Sequence, residues 1–95
     1  MSNKEIYETK LQAQLDEWQA QVDKLKARIK NADADAKLKM EQQMNDLQAK
    51  QEKAKQKMNE LSDASEKAWE DMKSGVERSF KELETAFKSA TSHFK

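Results

Sequence analysis

Apolar residues recur along this chain at spacings of three and four, and the run from Asp63 to Phe94, DASEKAWEDMKSGVERSFKELETAFKSATSHF, carries the pattern most strongly. Trp69, Val76, Leu83 and Ala90 repeat every seven residues, and so do Phe80, Phe87 and Phe94. With Met72 and Ala86 they form one wide apolar stripe on a helix of about eight turns. A second stripe runs Leu11, Leu15, Trp18, Val22, Leu25, Ile29, Ala32, Ala36 in unbroken four-three alternation, which is a coiled-coil seam. Beyond Ala36 strict alternation selects Lys39 and Gln43, whereas the apolar side chains are Met40, Met44 and Leu47, so the stripe slips by one position. It continues through Ala54, Met58 and Leu61 with Gln51 at a core position, and this half is weaker because flexible Met and polar Gln specify a partner poorly.

Helix starts follow from the polar residues between these stripes. Ser2 with Glu5 fits a capping box, which starts a helix near residue 3. In Leu61-Ser62-Asp63-Ala64-Ser65-Glu66, two Ser and an Asp cluster and Asp63 stands three before Glu66, which predicts a turn over 61–64 with Asp63 opening the next helix. The stretch Asn31 to Lys37, NADADAK, is ambiguous. Asn and Asp are weak helix formers, but Ala is the best, and Asp33 with Lys37 and Asp35 with Lys39 are favourable i, i+4 pairs. The absence of Gly and Pro there favours a continuous helix. The expected fold is therefore all-α: an elongated coiled coil, in one domain over 1–95, with a long N-terminal helix over about 3–60, a turn at 61–64 and a shorter C-terminal amphipathic helix over 65–93. The long helix would measure roughly 80 to 90 Å at 1.5 Å per residue. The alternative is a three-helix bundle with breaks near 33 and 62.

Composition narrows the class. One Gly and no Pro in 95 residues, with 38% charged, exclude a fold rich in strands and tight turns. Residues 1–30, 31–60 and 61–95 carry six, six and six basic side chains against five, six and seven acidic ones, so no segment is a polyelectrolyte. A nucleic-acid partner is not expected, since it would want a clustered basic face with aromatic residues interleaved; the densest basic run, Lys50, Lys53, Lys55 and Lys57, is spread around its helix and broken by Glu52. The absence of Cys excludes disulfides, thiol catalysis and thiolate metal sites. MSNKEIYETK lacks the apolar run of a signal peptide and no segment approaches 18 consecutive apolar residues, so a cytoplasmic protein is expected.

Candidate chemistry is sparse. His93, the one histidine, has no carboxylate at a metal-ligand spacing and reads as a solvated side chain at a helix C-terminus. Asp33 and Asp35 point about 200° apart on a helix and cannot share a metal or a proton. No Glu-x-x-His motif is present, which removes a di-iron bundle. No catalytic residue, cofactor or metal ion is expected. Met40, Met44, Met58 and Met72 read as adaptable core. Gly75 beside Ser74 suggests a close helix approach, with a slight bend as the alternative.

Two stretches bring a resemblance. Ala68-Trp69-Glu70-Asp71-Met72-Lys73-Ser74-Gly75-Val76-Glu77, then Phe80, Leu83, Phe87 and Ser92-His93-Phe94-Lys95, is similar to the C-terminal signature of a family of small coiled-coil proteins of cyanobacteria and proteobacteria known as stress-response proteins. Lys10-Leu11-Gln12-Ala13-Gln14-Leu15-Asp16-Glu17-Trp18 followed by Val22-Asp23-Lys24-Leu25 resembles the other signature of that family. Phe80 stands where relatives often carry Trp, which preserves the apolar face. The resemblance spans nearly the whole chain and implies a role in stress tolerance; it brings no catalytic or ligand residues.

The residues expected to make the helix-packing or oligomer interface are Leu11, Leu15, Trp18, Val22, Leu25 and Ile29 in the first helix and Trp69, Met72, Val76, Phe80, Leu83 and Phe87 in the last. The expected function is non-catalytic: a self-associating coiled-coil protein, a homo-oligomer with a structural or interaction role in a bacterial stress response. Another protein could also serve as partner. The alternative is binding to a membrane surface through the C-terminal amphipathic helix, which the mixed Glu and Lys polar face disfavours.

Overall fold

A computed structural model describes residues 3–93 of the chain, with the side chain of His93 left aside. They form three helices of nearly equal length: α1 (Asn3–Lys30), α2 (Ala34–Asp63) and α3 (Glu66–His93). Short connections make consecutive helices antiparallel neighbours. The molecule measures 51 × 20 × 18 Å with a radius of gyration of 15.4 Å, against about 12 Å for an average domain of this length. It is an elongated three-helix bundle.

The single helix over 3–60 is thus replaced by the alternative, with breaks at residues 31–33 and 64–65. The first break has a local and a global cause. Locally, the Asn31 and Ala32 amides bond back to the Arg28 and Ile29 carbonyls at 3.2 Å each, which tightens the end of α1. Asp33 then turns extended (φ −71°, ψ 169°), and its carboxylate accepts the Ala36 amide at 3.0 Å as the N-cap of α2. Asp chooses that bond over the i, i+4 pair with Lys37 because a short acceptor side chain competes well for the open amides of a helix start. Globally, folding α1 back buries its stripe, which a straight helix would leave in water. The slip after Ala36 is then the start of a new register: Met40, Met44, Leu47, Gln51, Ala54, Met58 and Leu61 alternate by four and three along α2 alone.

At the second break a turn is present at 64–65 rather than over the expected 61–64, since residues 61–63 complete α2, and its cap is not Asp63. Asp63 is the last residue of α2, the Ala64 amide bonds to the Leu61 carbonyl at 3.1 Å, and Ser65 caps α3. Its hydroxyl accepts the Ala68 amide at 3.2 Å and its carbonyl the Trp69 amide at 3.0 Å. The Ser2 capping box, the terminal His93 side chain and Phe94 lie outside the described residues.

One core joins all three helices. α1 supplies Leu15, Trp18, Val22, Leu25 and Ile29; α2 supplies Met44, Leu47, Ala54 and Leu61; α3 supplies Trp69, Val76, Phe80, Leu83, Ala86, Phe87 and Ala90. Val22, Ala54, Leu61 and Leu83 are completely buried. Met44 is buried and Met40, Met58 and Met72 pack against the core from its edge, as adaptable side chains do. The close approach expected at Gly75 is absent: it is exposed, and a Cβ there would meet nothing within 4 Å.

Candidate functional site: the seam between α1 and α3

α2 packs closely on α3 and also on α1, whereas the backbones of α1 and α3 stand further apart. Aromatic side chains fill that gap. The Trp18 ring lies 5.6 Å from Phe80, tilted, and 5.7 Å from Phe87, nearly parallel. One end of the seam is closed by Tyr7, whose ring is 5.6 Å from Trp69. The Lys73 ammonium sits over both rings, 5.3 Å from Tyr7 and 4.9 Å from Trp69. Such contacts add to area burial when ring faces meet edges or cations.

Polar clasps tie α1 to both other helices. The Tyr7 hydroxyl donates to Glu77 Oε1 at 3.2 Å. Burial pushes the Tyr7 phenol up from 10.0 to about 12, and the Glu77 charge and this hydrogen bond act in the same direction. At neutral pH Tyr7 is therefore held as a donor to Glu77. Lys4 Nζ donates to the Ser62 carbonyl at 2.9 Å. α2 has no basic residue in its own last turn, so Lys4 of α1 supplies the cation that a helix C-terminus favours. On the other face, Gln51 Nε2 donates to Gln19 Oε1 at 2.8 Å, so the polar residue at a core position of α2 ties it to α1.

The expected interface residues come together, and they do so inside one chain. Ten of the twelve are buried: Leu15, Trp18, Val22, Leu25, Ile29, Trp69, Val76, Phe80, Leu83 and Phe87. Leu11 and Met72 are partly buried against the same core. Tyr7, Lys4 and the Gln19–Gln51 pair were missed. Tyr7 had a visible signal, since it lies four residues before Leu11 and extends the stripe by one turn. Lys4 and Gln19 had none, because long polar side chains on a helix do not announce which neighbour they reach.

Beside the seam run two open grooves, of about 390 Å³ near Leu11, Trp18 and Phe80 and about 370 Å³ near Trp18 and Phe87. Both are walled by Glu84 together with lysines. Among the described residues no group of three His, Cys, Asp or Glu is placed to hold a metal ion, and no helix is long and apolar enough to cross a membrane. Of the lysine run on α2, Lys50 lies 3.3 Å from Asp46, Lys53 3.7 Å from Glu82 and Lys57 3.7 Å from Glu60. No protein family, curated protein or solved structure matches this chain.

Proposed function

We propose that this chain is a non-catalytic, self-associating helical protein of the bacterial cytoplasm with a structural or interaction role in stress response. The stress role rests on the two sequence signatures quoted above. The reading of association rests on the apolar stripes of α1, α2 and α3, which close one core helix to helix, while the polar clasps such as Tyr7 with Glu77 and Gln51 with Gln19 lie within one chain. The large apolar side chains are spent on the same task, with Ile6 and Leu38 the exposed large ones among the described residues. Association therefore has to reuse the seam, and helices that bury their stripes on one another within a chain bury them equally well on a second copy.

The test is sedimentation equilibrium across micromolar to millimolar concentrations, with the double variant Phe80→Asp, Phe87→Asp. The expected result is a wild-type mass that rises from 11.0 kDa to a multiple of it, and a variant that stays at the lower mass with part of its helix lost. A wild type fixed at one chain throughout, or a variant with unchanged mass and melting temperature, contradicts the reading.

A membrane surface is the second reading, favoured by the wide apolar face of α3. Trp18 and Trp69 are both 6% exposed in the closed bundle, so insertion into lipid would change their emission little. Quenching of Trp69 by brominated acyl chains in anionic vesicles is the informative readout, and its absence removes this reading.

A further inference from the structure

The turn between α1 and α2 is made of residues that do not require a turn. Residues 31–33 are Asn, Ala and Asp, and no residue in the described chain has a positive φ. The one-residue slip in the apolar register does not by itself require a break: Ile29, Ala32, Ala36 and Met40 are spaced three, four and four. Eleven residues over three turns is the spacing that keeps a stripe on one face of an uninterrupted helix. A straight helix would give the Asp33, Ala34 and Asp35 amides acceptors in the carbonyls of Ile29, Lys30 and Asn31. In the hairpin these amides lie at a helix start, where intrahelical acceptors are lacking. Against this stands the Asp33 cap on Ala36.

We infer that residues 31–33 are a hinge between two forms of the chain, and that the partner of the open form is a second copy of the same chain. This deepens, and rests on, the self-association proposed above. When the hinge straightens, residues 3–63 become one helix of roughly 90 Å. α1 leaves its own α2 and α3 and docks on those of the other copy, which returns the exchange. Every contact of the closed bundle is then remade between chains: Trp18 on Phe80 and Phe87, Tyr7 on Glu77, Gln19 on Gln51. Because the contacts are equal in both forms, only the hinge and the concentration decide between them.

Two substitutions bias the hinge in opposite directions. Ala34→Pro suits the hairpin, since Ala34 is the first residue of α2, where Pro is favoured, and Asp33 already has the extended conformation required before Pro. The same Pro cannot lie inside a straight helix. Asp33→Ala removes the cap and puts the best helix former at the hinge. Sedimentation equilibrium with small-angle scattering reads the outcome. The expected result is a wild-type dimer with a maximum dimension about twice the 51 Å of the monomer, a dimer about 30-fold tighter for Asp33→Ala, since two caps are lost per dimer, and an Ala34→Pro chain that stays monomeric with an undiminished melting temperature. If Ala34→Pro dimerises as the wild type does, self-association stands and the hinge is overturned. If the wild type and Asp33→Ala both stay monomeric to millimolar concentration, both readings fall.

Discussion

Tyr7 is the residue through which α1 and α3 are most specifically joined: its ring meets Trp69, its face meets Lys73, and its hydroxyl meets Glu77. A phenol that is buried, and beside a carboxylate to which it donates, resists losing its proton, and the consequence for stability has a definite sign. The folded-state value, about 12, lies above the unfolded 10.0. The contribution is therefore complete below pH 10 and is lost as pH rises from 10 towards 12. Tyr7 is the one tyrosine in the chain, so phenolate absorbance reports it alone. The native protein should titrate near pH 12 and the protein in denaturant near 10, and Glu77→Gln should lower the native midpoint. A native midpoint at 10 would show that Tyr7 is neither buried nor clasped to Glu77. The surface ion pairs carry less weight: Lys88 with Glu84, at 3.1 Å, has both side chains more than half exposed, where such pairs are worth little.

At the scale of elements, the helices begin where a short polar side chain captures an open amide. Ser65 does this for α3 and Asp33 for α2. Ser65→Ala should cost about 1 kcal/mol of unfolding free energy in urea denaturation. Asp63→Ala should cost nothing, and relief of an acidic charge at the C-terminus of α2 could return a few tenths of a kcal/mol. The reverse ranking would restore Asp63 as the cap. The second break region was legible in the sequence and the first only as the alternative to a continuous helix, and which polar residue caps was not legible. Asp63 and Ser65 are both good caps, and the choice depends on how far α2 runs before it turns. The first break was harder still. NADADAK has helix-forming alanines and no Gly or Pro, so local propensity favours continuation, and what overrules it is the burial of Leu15, Trp18, Val22, Leu25 and Ile29 against the other two helices.

For the whole molecule, three stripes of the sequence become one core. The packing positions were legible because an amphipathic helix must hide its stripe, and Trp18, Val22, Val76 and Leu83 are hidden as their spacing requires. What spacing does not carry is the identity of the partner surface. The stripe from Leu11 to Ile29 has the pattern of a seam between chains, yet it meets helices of its own chain, because a turn of three residues brings them within reach. Gln51 likewise reads as a flaw in an apolar seam until Gln19 is seen across from it. The central claim is that the closed form buries these stripes within one chain, and the most direct measurement of it is an isotope-filtered NMR experiment on mixed labelled and unlabelled protein, at a concentration where scattering gives the mass of one chain. Cross-peaks between the Trp18 indole and the Phe80 and Phe87 rings should appear within single chains, with none between labelled and unlabelled copies. Absence of these cross-peaks in the single-chain sample would mean that α1 does not pack on its own α3, and the closed three-helix bundle would be wrong.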